Sequence, residues 1–398
     1  MPTATHPKLS FIADELQALK DQHLYQSLVT VQSAQGPEIT LDGRPNILNF
    51  SANNYLGLCN HPTLKEAAKK AIDQWGVGAG AVRTIIGTLE LHQQLENTLA
   101  EFKHCEATMV FQSGFTANAG AVNSIMGDDD YILSDALNHA SIIDAVRLNK
   151  AKKGVYEHSN MADLEEKLKA AQGFRRRLVV TDGVFSMDGD VAKLPEIADL
   201  CDQYNALLMV DDAHGSGVFG NHGEGTVAHF DLCNRVDIVV GTLSKALGSM
   251  GGYVASTQAM RDLMVNKARP LLFSTPHPPA VTASALAAVQ LMMADNSLVQ
   301  KLWHNTRYFK GEMERLGYTI TSDSPILPVI VGSSERAQLL SKRLLEEGVF
   351  ARAIVFPTVA KDKARVRLMM SAAFTTQQLD RGLEAFKKLG KELSLVES

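Results

Sequence analysis

From about residue 60 onward, stretches with helical spacing of apolar residues alternate with short apolar runs, and this alternation limits the fold more than any other feature. The runs cover residues 107–112, 131–133, 177–181, 207–211, 237–240 and 253–255. Runs this short suit strands, and the lengths between them suit crossover helices. The pattern therefore predicts an α/β fold, with a mainly parallel central sheet flanked by helices. A long helical region over 280–316 follows, then an apolar run at 326–331, a helix near 336–347, a strand near 366–370 and a helix from Thr376. These predict a smaller C-terminal α/β domain. Ahead of the alternation, Phe11, Ile12, Leu16 and Leu19 fall at helical spacing. Turn signals at Gly36-Pro37 and Asp42-Gly43 then lead to a short strand near 47–50. The expected division is an N-terminal arm over 1–58, a large domain over 59–290 and a small domain over 291–398.

Charge narrows the choice of ligand. With 39 basic and 44 acidic residues the net charge is -5, so there is no basic footprint for nucleic acid or for an anionic membrane surface. A small-molecule ligand is expected instead. Cys59, Cys105, Cys201 and Cys233 show no Cys-x-x-Cys spacing, which fits reduced thiols and offers no metal set. The N-terminus lacks a signal-type apolar core, and no stretch has the roughly eighteen apolar residues of a spanning helix, so a cytoplasmic location is expected.

Two residues suggest the chemistry. Lys245 follows an apolar run in Val-Val-Gly-Thr-Leu-Ser-Lys-Ala-Leu-Gly, and Asp211 ends another in Leu-Leu-Met-Val-Asp-Asp-Ala-His. A pyridoxal phosphate enzyme needs an amine to hold the cofactor aldehyde and a carboxylate to keep the pyridine nitrogen protonated. The carboxyl ends of parallel strands are where open α/β sheets gather ligands. His214, three residues beyond Asp211, could lie beside such a ring. Thr242 and Ser244 flank Lys245 with hydroxyls, and Gly248, Gly251 and Gly252 let backbone approach a phosphate closely.

Other candidates have two readings each. Ser113-Gly114-Phe115 opens a helix after a strand, either as a plain N-cap or as a phosphate cradle. His139 precedes a helix that a Ser141…Asp144 box would cap, so it either helps that cap or stacks on a flat cofactor. Ser186 is a turn serine or a crevice residue. Arg367 alternates with apolar residues on a strand, as a surface ion pair or as a bidentate carboxylate clamp. Gly76-Val77-Gly78-Ala79-Gly80 resembles a dinucleotide loop, but helical sequence precedes it, so a nicotinamide site is rejected.

Nearly the whole chain resembles the α-oxoamine synthases, pyridoxal phosphate enzymes of fold type I that condense an amino acid with an acyl-CoA. The resemblance is carried in order by residues 51–58 (Ser-Ala-Asn-Asn-Tyr-Leu-Gly-Leu), 82–88, 134–144, 181–189 (Thr-Asp-Gly-Val-Phe-Ser-Met-Asp-Gly), 210–214, 241–248 and 364–367. Within the family the motifs look nearest to the glycine C-acetyltransferase branch. The resemblance implies that Lys245 carries pyridoxal 5'-phosphate, Asp211 pairs with its ring nitrogen, and His139 stacks on the ring. Ser186 and His214 would contact the phenolic oxygen. Ser113, Gly114, Phe115 and Thr242 would hold the phosphate, with Ser274 and Thr275 reaching in from the second subunit of a homodimer. Arg367 and Asn53 would bind the amino acid carboxylate.

The implied reaction joins glycine to acetyl-CoA, giving 2-amino-3-oxobutyrate and CoA, a step of threonine degradation. In the alternative, an 8-amino-7-oxononanoate synthase or broad-range enzyme takes longer acyl-CoAs such as pimeloyl-CoA, uses alanine and loses carbon dioxide. An aminotransferase is a more distant reading. Phe374 stands where the family often has His, and the loop after Lys245 is short, so the acyl pocket is expected to differ.

Overall fold

The computed structural model describes residues 7–22, 24–25 and 27–396. Helix α1 (Phe11–Asp21) buries none of its residues and leaves Phe11, Ile12, Leu16 and Leu19 exposed. A hairpin follows, β1 (Glu38–Leu41) and β2 (Arg44–Asn49), turned at Asp42-Gly43 where both residues have positive φ. Only its second strand is evident in the sequence, because β1 is four residues long.

Helices α2 (Pro62–Trp75) and α3 (Glu90–Phe102) lead into the large sheet. Its strands are β3 (Ala107–Phe111), β4 (Tyr131–Asp135), β5 (Lys152–Tyr156), β6 (Arg177–Asp182), β7 (Leu207–Asp211), β8 (Ile238–Thr242) and β9 (Gly252–Ser256), in the order β3-β9-β8-β7-β6-β4-β5. Only β9 runs against the rest. The runs read from the sequence are thus strands, and the sheet is mainly parallel. The edge strand β5 escaped notice because its Lys-Lys-Gly-Val-Tyr sequence is largely exposed and lacks an apolar run.

Period-two alternation distributes side chains to the two faces. Met109, Leu178, Val180, Met209 and Val240 pack on one side with Ala117, Ala121 and Ile142 of α4 (Gly114–Ile125) and α5 (Ala140–Leu148). Val110, Val179, Leu208, Val210 and Val239 face the other way, into a larger core with Leu95, Leu194, Ile197 and Val289. With both faces covered, the strands read as continuous apolar runs.

The helical region at 280–316 is two helices, Pro279–Ala294 and Ser297–Arg315, divided where Asp295 accepts the Ser297 N–H at 2.9 Å. Beyond them, β10 (Ile326–Gly332), β11 (Val349–Phe350), β12 (Ala353–Ile354) and β13 (Ala364–Met369) form two small sheets. One has the order β10-β13-β12, and the other adds β11 in parallel to β2, so the hairpin is tied to the C-terminal segment. The final helix, Thr376–Glu392, carries a Thr375/Gln378 capping box. No helix among the described residues is long and apolar enough to cross a membrane.

Candidate active site

Parallel strands deliver functional groups where their carboxyl ends converge. β3 ends at the Ser113 turn, β4 leads to His139, β6 to Asp182 and Ser186, β7 to Asp211 and His214, and β8 to Thr242 and Lys245. A cavity of about 220 Å³ lies at these ends. It is lined by Ser113, Gly114, Phe115, His139, Ser186, Asp211, His214, Thr242 and Lys245, which the sequence had singled out from five separate segments.

Lys245 makes no hydrogen bond or ion pair among the described residues, and its amine opens onto the cavity. Protein surrounds it otherwise, and this burial lowers its pKa from 10.5 to about 8, with Asp211 and Asp182 pulling upward and Arg367 downward. Asp211 is buried. One of its oxygens accepts Asn118 Nδ2 at 2.6 Å and the other accepts the Ala213 N–H at 3.0 Å, which leaves each with a lone pair for a further donor.

At the Ser113 turn, the Ser113 hydroxyl accepts the Thr116 N–H at 3.1 Å and the Thr116 hydroxyl accepts the Ser113 N–H at 3.0 Å. The amides of Gly114 and Phe115, at the first positions of α4, have no intrahelical acceptor and face the cavity. Gly252 of β9 packs directly against this turn. A Cβ there would meet Ser113 C and O at 2.4 Å and Gly114 N at 2.5 Å.

The expected Ser141…Asp144 box does not form. His139 itself caps α5, its Nδ1 accepting the Ser141 N–H at 3.2 Å, while the Ser141 hydroxyl bonds that same nitrogen at 2.8 Å and accepts Asn118 Nδ2 at 2.9 Å. The His139 N–H donates to Asp182 Oδ2 at 2.7 Å. Burial of part of the ring lowers the His139 pKa, Asp211 opposes this and Lys245 adds to it, although the residue as a whole stays open at the cavity mouth. His214 is buried and its pKa lies well below the usual imidazole value, because of burial first and the Lys245 and Arg367 cations second. Its Nδ1 lies 2.7 Å from the Tyr55 hydroxyl, whose own pKa is raised by burial. The phenol therefore keeps its proton and can donate to Nδ1, and in that tautomer Nε2–H of His214 is left for the cavity.

Arg367 does not line the cavity. It donates to the Ser186 carbonyl at 2.8 Å and has no acidic partner among the described residues, so the surface ion-pair reading fails. Its neighbour Arg365 takes that structural role, paired with Asp188 at 2.5 Å and bonded to the Met187 carbonyl at 2.9 Å. Asn53 lies outside the lining with a buried, unpartnered Oδ1. Ser274 and Thr275 also lie outside it in their own chain, where the Thr275 carbonyl accepts Gln112 Nε2 at 2.7 Å. Phe374 is buried and stacked on Phe50, with centroids 4.7 Å apart, so it belongs to the core and not to this cavity.

Sequence reasoning missed Asn118, Ser141, Asp182 and Tyr55. Asp182 carried a usable signal, since it ends β6 as Asp211 ends β7, and the two are register partners. Asn118 sits within the Ser113 segment on the buried side of α4. The Tyr55–His214 bond spans 159 positions and has no local signature.

A strand-end cavity with an unpartnered lysine amine, a carboxylate with free lone pairs and unused helix N–H groups suits a ligand bearing an aldehyde, a basic ring nitrogen and a phosphate. This defines a fold-type I transferase that uses pyridoxal 5'-phosphate. Comparison with known proteins agrees. The model of the class I and II aminotransferases matches residues 45–386. A serine palmitoyltransferase from Sphingomonas wittichii superposes with a TM-score of 0.92 at 30% identity, covering 98% of this chain and 99% of that one. A serine palmitoyltransferase structure with pyridoxal phosphate superposes equally well, TM-score 0.92 at 28% identity, covering 98% and 100%. An 8-amino-7-oxononanoate synthase from Thermosipho melanesiensis is 53% identical over 388 residues, 97% of this chain and 99% of the relative. The chain belongs to the class I and II aminotransferase family and, within it, to the α-oxoamine synthases. It is a pyridoxal phosphate-dependent C-acyltransferase.

The expected glycine C-acetyltransferase activity, and with it a place in threonine degradation, is overturned by the 8-amino-7-oxononanoate synthase relative at 53% identity. The motifs that suggested it had been read for the cofactor and the amino acid carboxylate, and say little about the acyl group.

Proposed function

We propose that this protein is an 8-amino-7-oxononanoate synthase, joining alanine to a pimeloyl thioester. The substrate assignment rests on the 53% identity, across 97% of the chain, to a protein of that name. In such a product the amino-bearing carbon and its methyl group come from alanine, and the remaining chain from the pimeloyl group. The bond between the alanine α-carbon and its carboxylate breaks to release carbon dioxide. A bond forms from that carbon to the acyl carbonyl, and the C–S bond breaks to release CoA as its thiol.

Pyridoxal phosphate supplies an aldehyde and an electron-withdrawing ring that stabilises negative charge at the amino acid α-carbon. In our reading Lys245 would hold that aldehyde, Asp211 the ring nitrogen, His139 the ring face, and Ser186 and His214 the phenolic oxygen. Ser113, Thr242 and the amides of Gly114 and Phe115 would hold the phosphate, with Ser274 and Thr275 of a second copy in a homodimer. When not holding the aldehyde, the Lys245 amine would move protons at the amino acid α-carbon, because a pKa of about 8 leaves an appreciable neutral fraction near pH 7. Arg367, with no acidic partner, supports a carboxylate clamp, and Asn53 has an unpartnered oxygen nearby in sequence to the Tyr55 contact. The neutral His139 ring can hydrogen-bond the thioester carbonyl as it reacts.

Thiol and carbon dioxide release should be measured with alanine plus pimeloyl-CoA and with glycine plus acetyl-CoA. The expected result is one thiol per carbon dioxide with the first pair, at a kcat/KM at least tenfold above the second, since apolar pockets discriminate by about 10–200-fold per methylene. No thiol release from pimeloyl-CoA would refute the reading.

A further inference from the structure

The Lys245 cavity has a volume of about 220 Å³, which on our reading must serve the cofactor and the amino acid. That volume leaves little room for a chain of methylenes, which needs further apolar surface to be buried against. A second cavity, of about 280 Å³, shares Ser186 with the first. Its other walls include Phe185 and Met187 from the same turn, Leu137 from the turn before His139, Ile330 of β10 and Val359. Leu137 is 51% and Ile330 46% exposed, large apolar side chains with one side uncovered around a single hollow. At about 30 Å³ per water-sized group, the volume accommodates roughly nine such groups, enough for the methylenes and terminal carboxylate of a pimeloyl arm.

The polar side of this hollow carries two cations. Arg365 is committed to Asp188 and to the Met187 and Lys363 carbonyls. The Lys363 amine, on the exposed rim, makes no hydrogen bond or ion pair among the described residues.

We propose that this second cavity is the acyl-arm subsite and that Lys363 meets the terminal carboxylate of a dicarboxylic acyl group. The proposal rests on the reading that the acyl substrate is pimeloyl. Ser186 is then the boundary between the reacting carbonyl and the arm. Phe185, Met187, Ile330 and Val359 set how long an arm is accepted, and Lys363 favours an arm that ends in a charge over one that ends in a methyl group.

The test compares kcat/KM for pimeloyl-CoA, heptanoyl-CoA and butyryl-CoA with alanine in the holoenzyme, for the wild type, Lys363→Gln and Ile330→Trp. Both positions are at the surface, and thermal unfolding checks that the variants are folded. Heptanoyl-CoA has the same chain length without the terminal carboxylate. The wild type should prefer pimeloyl over heptanoyl, and Lys363→Gln should cut that preference about fivefold, the size expected for an exposed ion pair. Ile330→Trp should lower the pimeloyl-to-butyryl ratio at least tenfold. If the wild type shows no preference for pimeloyl over heptanoyl, the functional reading falls and the subsite with it. If the preference is present and either variant keeps the wild-type ratio, the subsite alone is overturned.

Discussion

Replacing Lys245 by Met should stabilise the cofactor-free protein, although it removes the residue on which the chemistry depends. Burial lowers the amine from 10.5 to about 8, net of the upward pull of Asp211 and Asp182. At 1.36 kcal/mol per pH unit, that gap is roughly 3 kcal/mol of charge-burial cost. The opening onto the cavity screens part of it, so the expected gain is about 2–3 kcal/mol. The sign follows from proton binding. Below pH 8 the amine is protonated in both states, and the folded state bears the whole cost. Between pH 8 and 10.5 the unfolded chain binds more protons, so stability rises with pH. Above 10.5 the amine is neutral in both states and the cost has vanished. Met is close in size and uncharged, so the variant lacks this dependence. Urea unfolding of cofactor-free wild type and Lys245→Met at a series of pH values should give a stability difference near 2–3 kcal/mol at pH 7 that shrinks toward zero by pH 10.5. A variant no more stable at pH 7, or a gain independent of pH, would refute the claim that the site stores this cost.

Gly252→Ala should weaken cofactor binding, because its Cβ would strike Ser113 backbone at 2.4 Å and Gly114 N at 2.5 Å and so displace the turn we assign to the phosphate. A rise of at least tenfold in the pyridoxal phosphate Kd, with about 1–3 kcal/mol lost stability, is expected by fluorescence titration and unfolding; an unchanged Kd would remove the phosphate from that turn. His158 bridges Asp135 and Asp190 with both ring nitrogens at 3.0 Å, which requires an imidazolium, and those carboxylates raise its pKa from 6.5 to about 10. Its contribution is complete below pH 6.5 and lost as pH rises through 10, so His158→Gln should cost about 1–2 kcal/mol at pH 7 after allowing for partial exposure and little above pH 10; an equal cost at both pH values would show that packing on Phe185 outweighs the charge.

The large sheet and most of the site were legible because each functional residue follows an apolar run. A strand buried on both faces must end where the chain turns, and polar residues just beyond that end face the crevice. This is why Asp211, Thr242, Ser186 and Ser113 could be placed from local sequence. The edge strand β5 was not legible, since an exposed edge needs no apolar run. Nor were bonds between distant segments, such as Tyr55 to His214. Acyl specificity was hidden for a related reason. On our proposal its walls come from the turns at 137 and 185–187, from β10 and from the segment around 359, and no single motif contains them.

The structural and functional readings of two site residues turn out to be compatible, and the geometry explains why. Ser113 caps α4 by taking the third amide, that of Thr116, which leaves the two amides ahead of it unsatisfied and facing the cavity. Without the cap the helix would be free to fray, and those amides would lose their fixed direction. His139 caps α5 through Nδ1 and is held at its own N–H by Asp182, so the ring is fixed while Nε2 stays free. Each cap thus uses one group of a residue to orient another for the ligand. A capping role is therefore no evidence against a binding role at a helix N-terminus that opens on a strand-end crevice. The informative question is which donors and acceptors the cap leaves over. Here it leaves two amides and an imidazole nitrogen around the same cavity as the Lys245 amine.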